Sequence, residues 1–102
     1  MKKILLCCSA GMSTSMLVKK MQEAAASRNV ECHIEAVSVS AFNDLIQEYD
    51  VCLLGPQVRF QKDELQKVAD RYNKKVEAIP AMTYGMMKGD EALTQALDLI
   101  PS

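Results

Sequence analysis

The sequence contains no tryptophan, and aromatic residues make up only 5% of its 102 positions. Its interior must therefore be built from Leu, Ile, Val, Ala and seven Met rather than from large rings. Net charge is nearly absent: 12 Lys and Arg against 13 Asp and Glu give −1 with the single histidine neutral. A nucleic-acid binder needs a basic patch to displace counterions from phosphates, so that class is not expected. Long apolar runs are missing too. The longest, Ile4 to Cys8, falls far short of the ~18 residues of a membrane span. It is also shorter than the about 7–15 residues of a signal-peptide core, and Leu6 is not the small residue that a cleavage site prefers. A cytoplasmic location is expected. The four cysteines, Cys7, Cys8, Cys32 and Cys52, then sit in a reducing compartment where disulfides are disfavoured. With no CxxC pair and His33 as the lone histidine, neither a metal nor another cofactor is expected.

What is present is an alternation. No repeat, low-complexity stretch or linker interrupts the chain, so one domain over residues 1–102 is expected. Lys3 to Cys8 is a short apolar run stopped by Ser9-Ala10-Gly11. Met12, Met16, Leu17, Met21, Ala24 and Ala25 follow at helical spacing, with Asn29 as the end of that helix. From Val30 to Ala36 apolar residues alternate with Glu31, His33 and Glu35, the period of a strand with one polar face. Ser38 or Ser40 then caps a helix whose apolar face is Ala41, Phe42, Leu45 and Ile46. Val51 to Leu54 reads as a strand buried on both sides. A helix from about Arg59 to Tyr72, a strand from Val76 to Ile79 and a helix from Asp90 to Ile100 complete the chain. The order βαβαβαβα predicts a parallel sheet covered by helices on both faces. Ligands of such sheets bind at the carboxyl ends of the strands. That edge collects Cys8 to Ser15, Gly55 to Arg59 and Ala81 to Met87.

The first of these loops carries the chemistry. A helix amino end leaves about four backbone N–H groups unpaired and bears roughly half a positive charge. Small residues let such a backbone curl around an anion, and Ser and Thr hydroxyls add donors. A cysteine at the loop's first position has its thiolate favoured by the same amides. Cys8 is thus a candidate nucleophile for a phosphoryl group, with Ser9, Ala10, Gly11, Met12, Ser13, Thr14 and Ser15 as the cradle. The relay needs that sulfur ionised and open to solvent. The plainer reading is a small apolar residue ending a buried strand, followed by a turn and a cap. Cys7 points to the opposite side of the strand, and Cys32 and Cys52 occupy apolar strand positions, so all three are assigned to the core. His33, flanked by Glu31 and Glu35, is assigned to solvent. Low-molecular-weight tyrosine phosphatases also use a loop cysteine, followed after five residues by Arg. Here that position is Thr14, and no Asp-Pro supplies their general acid. Phosphocysteine on this chain would lack the clamp that drives its hydrolysis.

The run Cys8-Ser9-Ala10-Gly11-Met12-Ser13-Thr14-Ser15 closely resembles the phosphorylation loop of enzyme IIB of the sugar phosphotransferase system, lactose/cellobiose (chitobiose) family. Leu53-Leu54-Gly55-Pro56-Gln57 resembles that family's motif after the third strand, and Tyr84-Gly85 its motif after the fourth. Cys7 departs from the aromatic or aliphatic residue often found beside the family's nucleophile. The resemblance implies a three-layer α/β fold with a four-stranded parallel sheet in the order 2-1-3-4, like that of flavodoxins and low-molecular-weight phosphatases. It implies a protein-phosphohistidine–sugar phosphotransferase component. Cys8 would accept a phosphoryl group from a phosphohistidine of the IIA protein. It would pass that group to a sugar held by the membrane permease IIC, at the inner face of the membrane. The sugar would be a β-glucoside disaccharide such as cellobiose or chitobiose, or lactose. The isolated chain is expected to be a monomer. Gln57, Arg59 and Tyr84 are assigned to the border of the site, against plain alternatives of a solvated charge for Arg59 and a packed aromatic for Tyr84. Met12, Val58, Phe60, Met82, Met86 and Met87 form an expected apolar rim for the two partners. Two other classes remain open: a Cys-dependent phosphatase and a module that merely holds an anion.

Overall fold

The computed structural model describes residues 1–9 and 12–100, residues 12–14 by their backbone alone. Four strands, β1 (Lys2–Cys8), β2 (Cys32–Ser38), β3 (Val51–Leu54) and β4 (Lys75–Ala78), form one sheet in the order β2-β1-β3-β4. Every pairing is parallel. The helices are α1 (Met12–Ser27), α2 (Phe42–Leu45), α3 (Lys62–Asp70), α4 (Ala81–Gly85) and α5 (Gly89–Leu99). Alternation along β1 divides the interior into two layers. Ile4 and Leu6 pack with Leu17, Met21, Leu53 and Leu93, on the side of α1 and α5. Leu5 and Cys7 pack with Phe42, Ile46, Cys52, Leu54 and Leu65, on the side of α2 and α3. Both central strands are buried on both faces, which is why each reads as an uninterrupted apolar run.

Three elements differ from the sequence reading. The expected second helix is a 3₁₀ turn, a single α turn and another 3₁₀ turn, Val39–Glu48. Its apolar residues Phe42 and Ile46 are still buried as expected. Ser38 caps its start by accepting from the Ser40 N–H at 3.4 Å. The third helix begins only at Lys62, because Pro56–Gln61 winds as 3₁₀ turns with a non-helical kink at Val58. The stretch Ala81 to Met87, read as loop, holds the short helix α4.

Three helices end alike. Asn29, Asn73 and Met87 take left-handed backbone angles, φ 55°, 58° and 52°. The next residue's N–H then reaches back to a carbonyl five positions earlier: Val30 to Ala25, Lys74 to Ala69 and Lys88 to Thr83. Asn tolerates this conformation; Met at position 87 adopts it at a cost of about 1–2 kcal/mol. The motif turns the chain from α4 directly into α5. Gly89 follows because a side chain there would strike the α1 backbone, with a Cβ only 2.4 Å from the Lys20 carbonyl carbon.

Candidate functional site

The carboxyl edge of the sheet brings the sequence-assigned loops together. β1 ends at Cys8 and α1 starts at Met12, so strand, short loop and helix amino end follow as expected. The first turn of α1 carries no carboxylate, whereas α3 and α5 begin with acidic pairs, Asp63 with Glu64 and Asp90 with Glu91. The positive end of α1 is therefore not neutralised by its own side chains. Ala10 and Gly11, and the side chains of Met12, Ser13 and Thr14, lie outside the described residues. Ser9 and Ser15 are exposed.

Cys8 is the last residue of the β1 ladder, opposite Ser38 of β2. Its sulfur was expected to be open to solvent, but the residue is 1% exposed. By strand alternation it shares the face of Ile4 and Leu6, the face that α1 covers, and the ladder still holds its backbone. On one side of β1 the Ser38 hydroxyl donates to the Ser9 carbonyl at 3.5 Å. On the other side the Gly55 N–H donates to the Cys7 carbonyl at 2.8 Å. That bond starts the segment after β3 beside the cysteine. Two residues on, the Gln57 side-chain amide donates to the Tyr84 hydroxyl at 3.5 Å, joining the segment to α4. The border residues Gln57 and Tyr84 are thus brought together. Gln57 is exposed and Tyr84 is 9% exposed, its ring in the α1–α5 layer. Arg59 is exposed.

The apolar rim is partly as expected. Phe60, Met82 and Met86 are 80%, 69% and 63% exposed. Val58 is not on the rim: it is 2% exposed, because the kink at that residue turns its side chain into the α2–α3 layer. Met87 is half-buried against the α1–α5 layer. Met16, assigned to the buried stripe of α1, is 64% exposed. Among the described residues of α1, Leu17, Val18, Met21 and Ala25 form the buried stripe.

The other cysteines are in place. Cys7 and Cys52 are fully buried, and the Cys52 thiol donates to the Cys7 sulfur at 3.6 Å. Burial, and then the neighbouring Cys7, push the Cys52 thiol well above its ordinary pKa. Cys32 is half-buried at the rim of its layer rather than in the core, since it opens an edge strand; burial raises its pKa against the opposing charge of Lys2. No disulfide is present. His33 is exposed and lies 3.2 Å from the Glu35 carboxylate, far down β2 from the functional edge. Among the described residues no group of three or more His, Cys, Asp or Glu is placed to hold a metal ion, and no helix is long and apolar enough to cross a membrane. A cavity of about 400 Å³ is lined by Arg28, Asp90, Thr94 and Asp98. It opens where α1 ends against α5, remote from the cysteine edge.

The parallel sheet in the order β2-β1-β3-β4, with helices on both faces, makes this a doubly wound α/β protein with a cysteine at its first strand-to-helix turn. The comparisons give the family. The model of the lactose/cellobiose-specific IIB subunit of the phosphotransferase system matches residues 3–95, and the chain belongs to that family. It is 52% identical over 100 residues to the oligo-β-mannoside-specific EIIB component of Bacillus subtilis (strain 168), covering 98% of this chain and 97% of that protein. It is 42% identical over 104 residues to the galactose-specific EIIB component of Lactococcus lactis subsp. cremoris (strain MG1363), covering 97% and 96%. The solved lactose-specific IIB domain of Streptococcus pneumoniae superposes with a TM-score of 0.87 at 25% identity, covering 96% of each chain. The chain is thus a sugar-specific IIB component, a phosphotransferase protein of sugar transport.

Proposed function

We propose that residues 1–102 form one IIB domain that relays a phosphoryl group through Cys8 in the cytoplasm. The Cys8 thiolate attacks the phosphorus of a phosphohistidine on IIA. The N–P bond breaks, the S–P bond forms, and the histidine leaves as neutral imidazole once it has taken a proton. In the second step a sugar hydroxyl held by the membrane permease IIC attacks the same phosphorus; the O–P bond forms, the S–P bond breaks, and the hydroxyl proton passes to the departing thiolate. Both donors are high-energy, so the chain has to supply position and charge stabilisation. The loop from Ser9 to Ser15 would hold the three phosphoryl oxygens at the amino end of α1. The observation that carries the reading is the placement of Cys8 at the end of β1, four residues before an α1 whose first turn has no carboxylate.

The 1% exposure of Cys8 bears on the mechanism. The relay was expected to need an open sulfur; one so covered attacks a phosphohistidine only after docking displaces what covers it. Phe60, Met82 and Met86, with Met16, provide the apolar surface for that docking. The sugar is read as a β-linked disaccharide or short oligosaccharide. The relative at 52% identity is named for oligo-β-mannosides, which adds a β-mannoside to the β-glucosides and lactose expected from the sequence.

The test is incubation with phosphoenolpyruvate, the general phosphotransferase proteins and the cognate IIA. The relay gives a lasting phosphoryl adduct on Cys8, absent in Cys8→Ser. Turnover of an aryl phosphate with no adduct would instead mean a phosphatase. Phosphate binding unchanged in Cys8→Ala, again without an adduct, would mean an anion-binding module.

A further inference from the structure

We propose that the Gln57–Tyr84 hydrogen bond is a strap that positions the two walls of the partner-facing surface; the proposal rests on the relay through Cys8. The two walls belong to different connections. Phe60 stands on the segment after β3, Met82 stands on α4 after β4, and Met86 is the residue that caps the end of α4. The first wall is anchored beside the cysteine by the Gly55 N–H bond to the Cys7 carbonyl, 2.8 Å. The second is a helix of only five residues, Ala81–Gly85, with Met82 and Met86 one turn apart on either side of Tyr84. A helix so short has little stability of its own and takes its orientation from what it is fastened to. From below it is fastened by the Tyr84 ring in the α1–α5 layer. Sideways, toward the cysteine, it is fastened by the Tyr84 hydroxyl, which accepts from the Gln57 amide at 3.5 Å.

Gln57 is exposed, so a role in core stability does not explain this bond. The bond is long, and its contribution to folding is correspondingly small. Its leverage is geometric. It sets the spacing between Phe60 and the Met82–Met86 pair, and a partner that bridges both walls binds best when that spacing is held before docking. Both residues are positioning residues: they act on the docking surface and make no contact with the transferred group.

The experiment is steady-state transfer from phosphorylated IIA to the full chain, with Tyr84→Phe, Gln57→Ala and the double variant. Tyr84→Phe keeps the buried ring and removes only the hydroxyl. KM for phospho-IIA should rise about twofold in each single variant, the most that a bond this long can hold in place, with kcat and the hydrolysis half-life of the phosphocysteine unchanged. Thermal midpoints should stay within about 2 °C of the parent, since a long surface bond adds little to stability. The double variant should be no worse than either single one, because both remove the same bond. An unchanged KM in Tyr84→Phe overturns the proposal, as does a double variant whose loss is the product of the single losses. A change in hydrolysis half-life would place Tyr84 at the phosphoryl group and overturn it as well. If the parent chain acquires no phosphoryl group on Cys8, the relay itself fails, and that outcome is read before any variant is compared.

Discussion

Met86→Glu tests whether the exposed methionines form a docking surface or are an accident of composition. Fully burying a Met side chain is worth about 1.5–3 kcal/mol. Met86 is 63% exposed in the isolated chain, so about two-thirds of that, ~1–2 kcal/mol, is still available to a partner. At about 1.4 kcal/mol per factor of ten, its loss weakens docking by about 5–30-fold. A carboxylate pressed against an apolar partner adds a desolvation cost in the same direction. The expected result is a rise of that size in KM for phospho-IIA, with kcat and thermal midpoint unchanged. Met87→Glu provides the contrast. Met87 is half-buried against the α1–α5 layer and holds a left-handed turn at φ 52°. A charge there should cost about 1–3 kcal/mol of stability and leave transfer per folded molecule nearly intact. The assay is radiolabelled or phosphate-affinity-gel transfer at varied phospho-IIA, paired with thermal melts of each variant. Wild-type KM in Met86→Glu would refute the reasoning, because a surface Met that contacts no partner has no reason to respond.

Further outcomes follow from the packing and the charges. Gly89→Ala forces a methyl group to within 2.4 Å of the Lys20 carbonyl carbon and 2.6 Å of its oxygen. The α1–α5 contact must open, costing about 1–3 kcal/mol, read as a lower thermal midpoint. Cys7→Ala and Cys52→Ala should keep the phosphoryl adduct that Cys8→Ser loses. In the native chain iodoacetamide should alkylate half-buried Cys32 ahead of Cys7 and Cys52, which react only on unfolding. The Glu35 carboxyl is held below its ordinary pKa, first by the Tyr49 hydroxyl donating at 2.8 Å and then by His33. Its contribution to stability is present above the unfolded value of about 4.3 and fades as pH falls through the lower folded value. Tyr49→Phe should therefore move the Glu35 titration, followed by NMR, upward. The Tyr49 phenol is itself pushed up to about 12 by burial and then by Glu35. Its contribution holds below pH about 10 and is lost as pH rises toward the folded value. An ordinary tyrosinate absorbance titration for Tyr49 would contradict the hydrogen bond.

The strands were legible because their physical cause is one-dimensional. β1 and β3 are buried on both faces, so Ile4 to Cys8 and Val51 to Leu54 appear as unbroken apolar runs. The ends of α1 and α3 were less so, although Asn29 was read as the end of α1 and its left-handed backbone does close that helix. Where the reading failed, tertiary context had overridden period. Phe42 and Ile46 are spaced like one helix, and both are buried, yet the backbone between β2 and β3 is broken into 3₁₀ and α turns. Val58 follows Gly55-Pro56 and looks like a loop residue, but the kink there turns it inward. α4 was invisible because five residues do not span enough turns to show a period. Met16 was misassigned because methionine is apolar whether or not it is covered. Of the site, the position of Cys8 at the end of β1 and ahead of α1 was readable, while the Gln57–Tyr84 contact depends on two loops that are 27 residues apart in sequence.

The same features that make a poor hydrolase make a good carrier. A phosphatase must bring water to its phosphocysteine and stabilise the departing thiolate, and the related loop enzymes use an arginine clamp and an aspartic acid for this. Here the clamp position is Thr14 and no Asp-Pro is present. The sulfur sits at the end of a ladder-held strand at 1% exposure, with an apolar rim around the edge. In the proposed relay the Cys8 thiolate attacks the phosphohistidine of one partner, and the group that then attacks the phosphocysteine is a sugar hydroxyl held by another, not water. Each arrives with a protein surface large enough to displace what covers Cys8. Without the clamp and the acid, water attacks the phosphorus slowly, and the phosphoryl group is kept for the docked partner. Weakening the rim at Met86 should slow transfer from IIA, yet leave the lifetime of the phosphocysteine toward water unchanged.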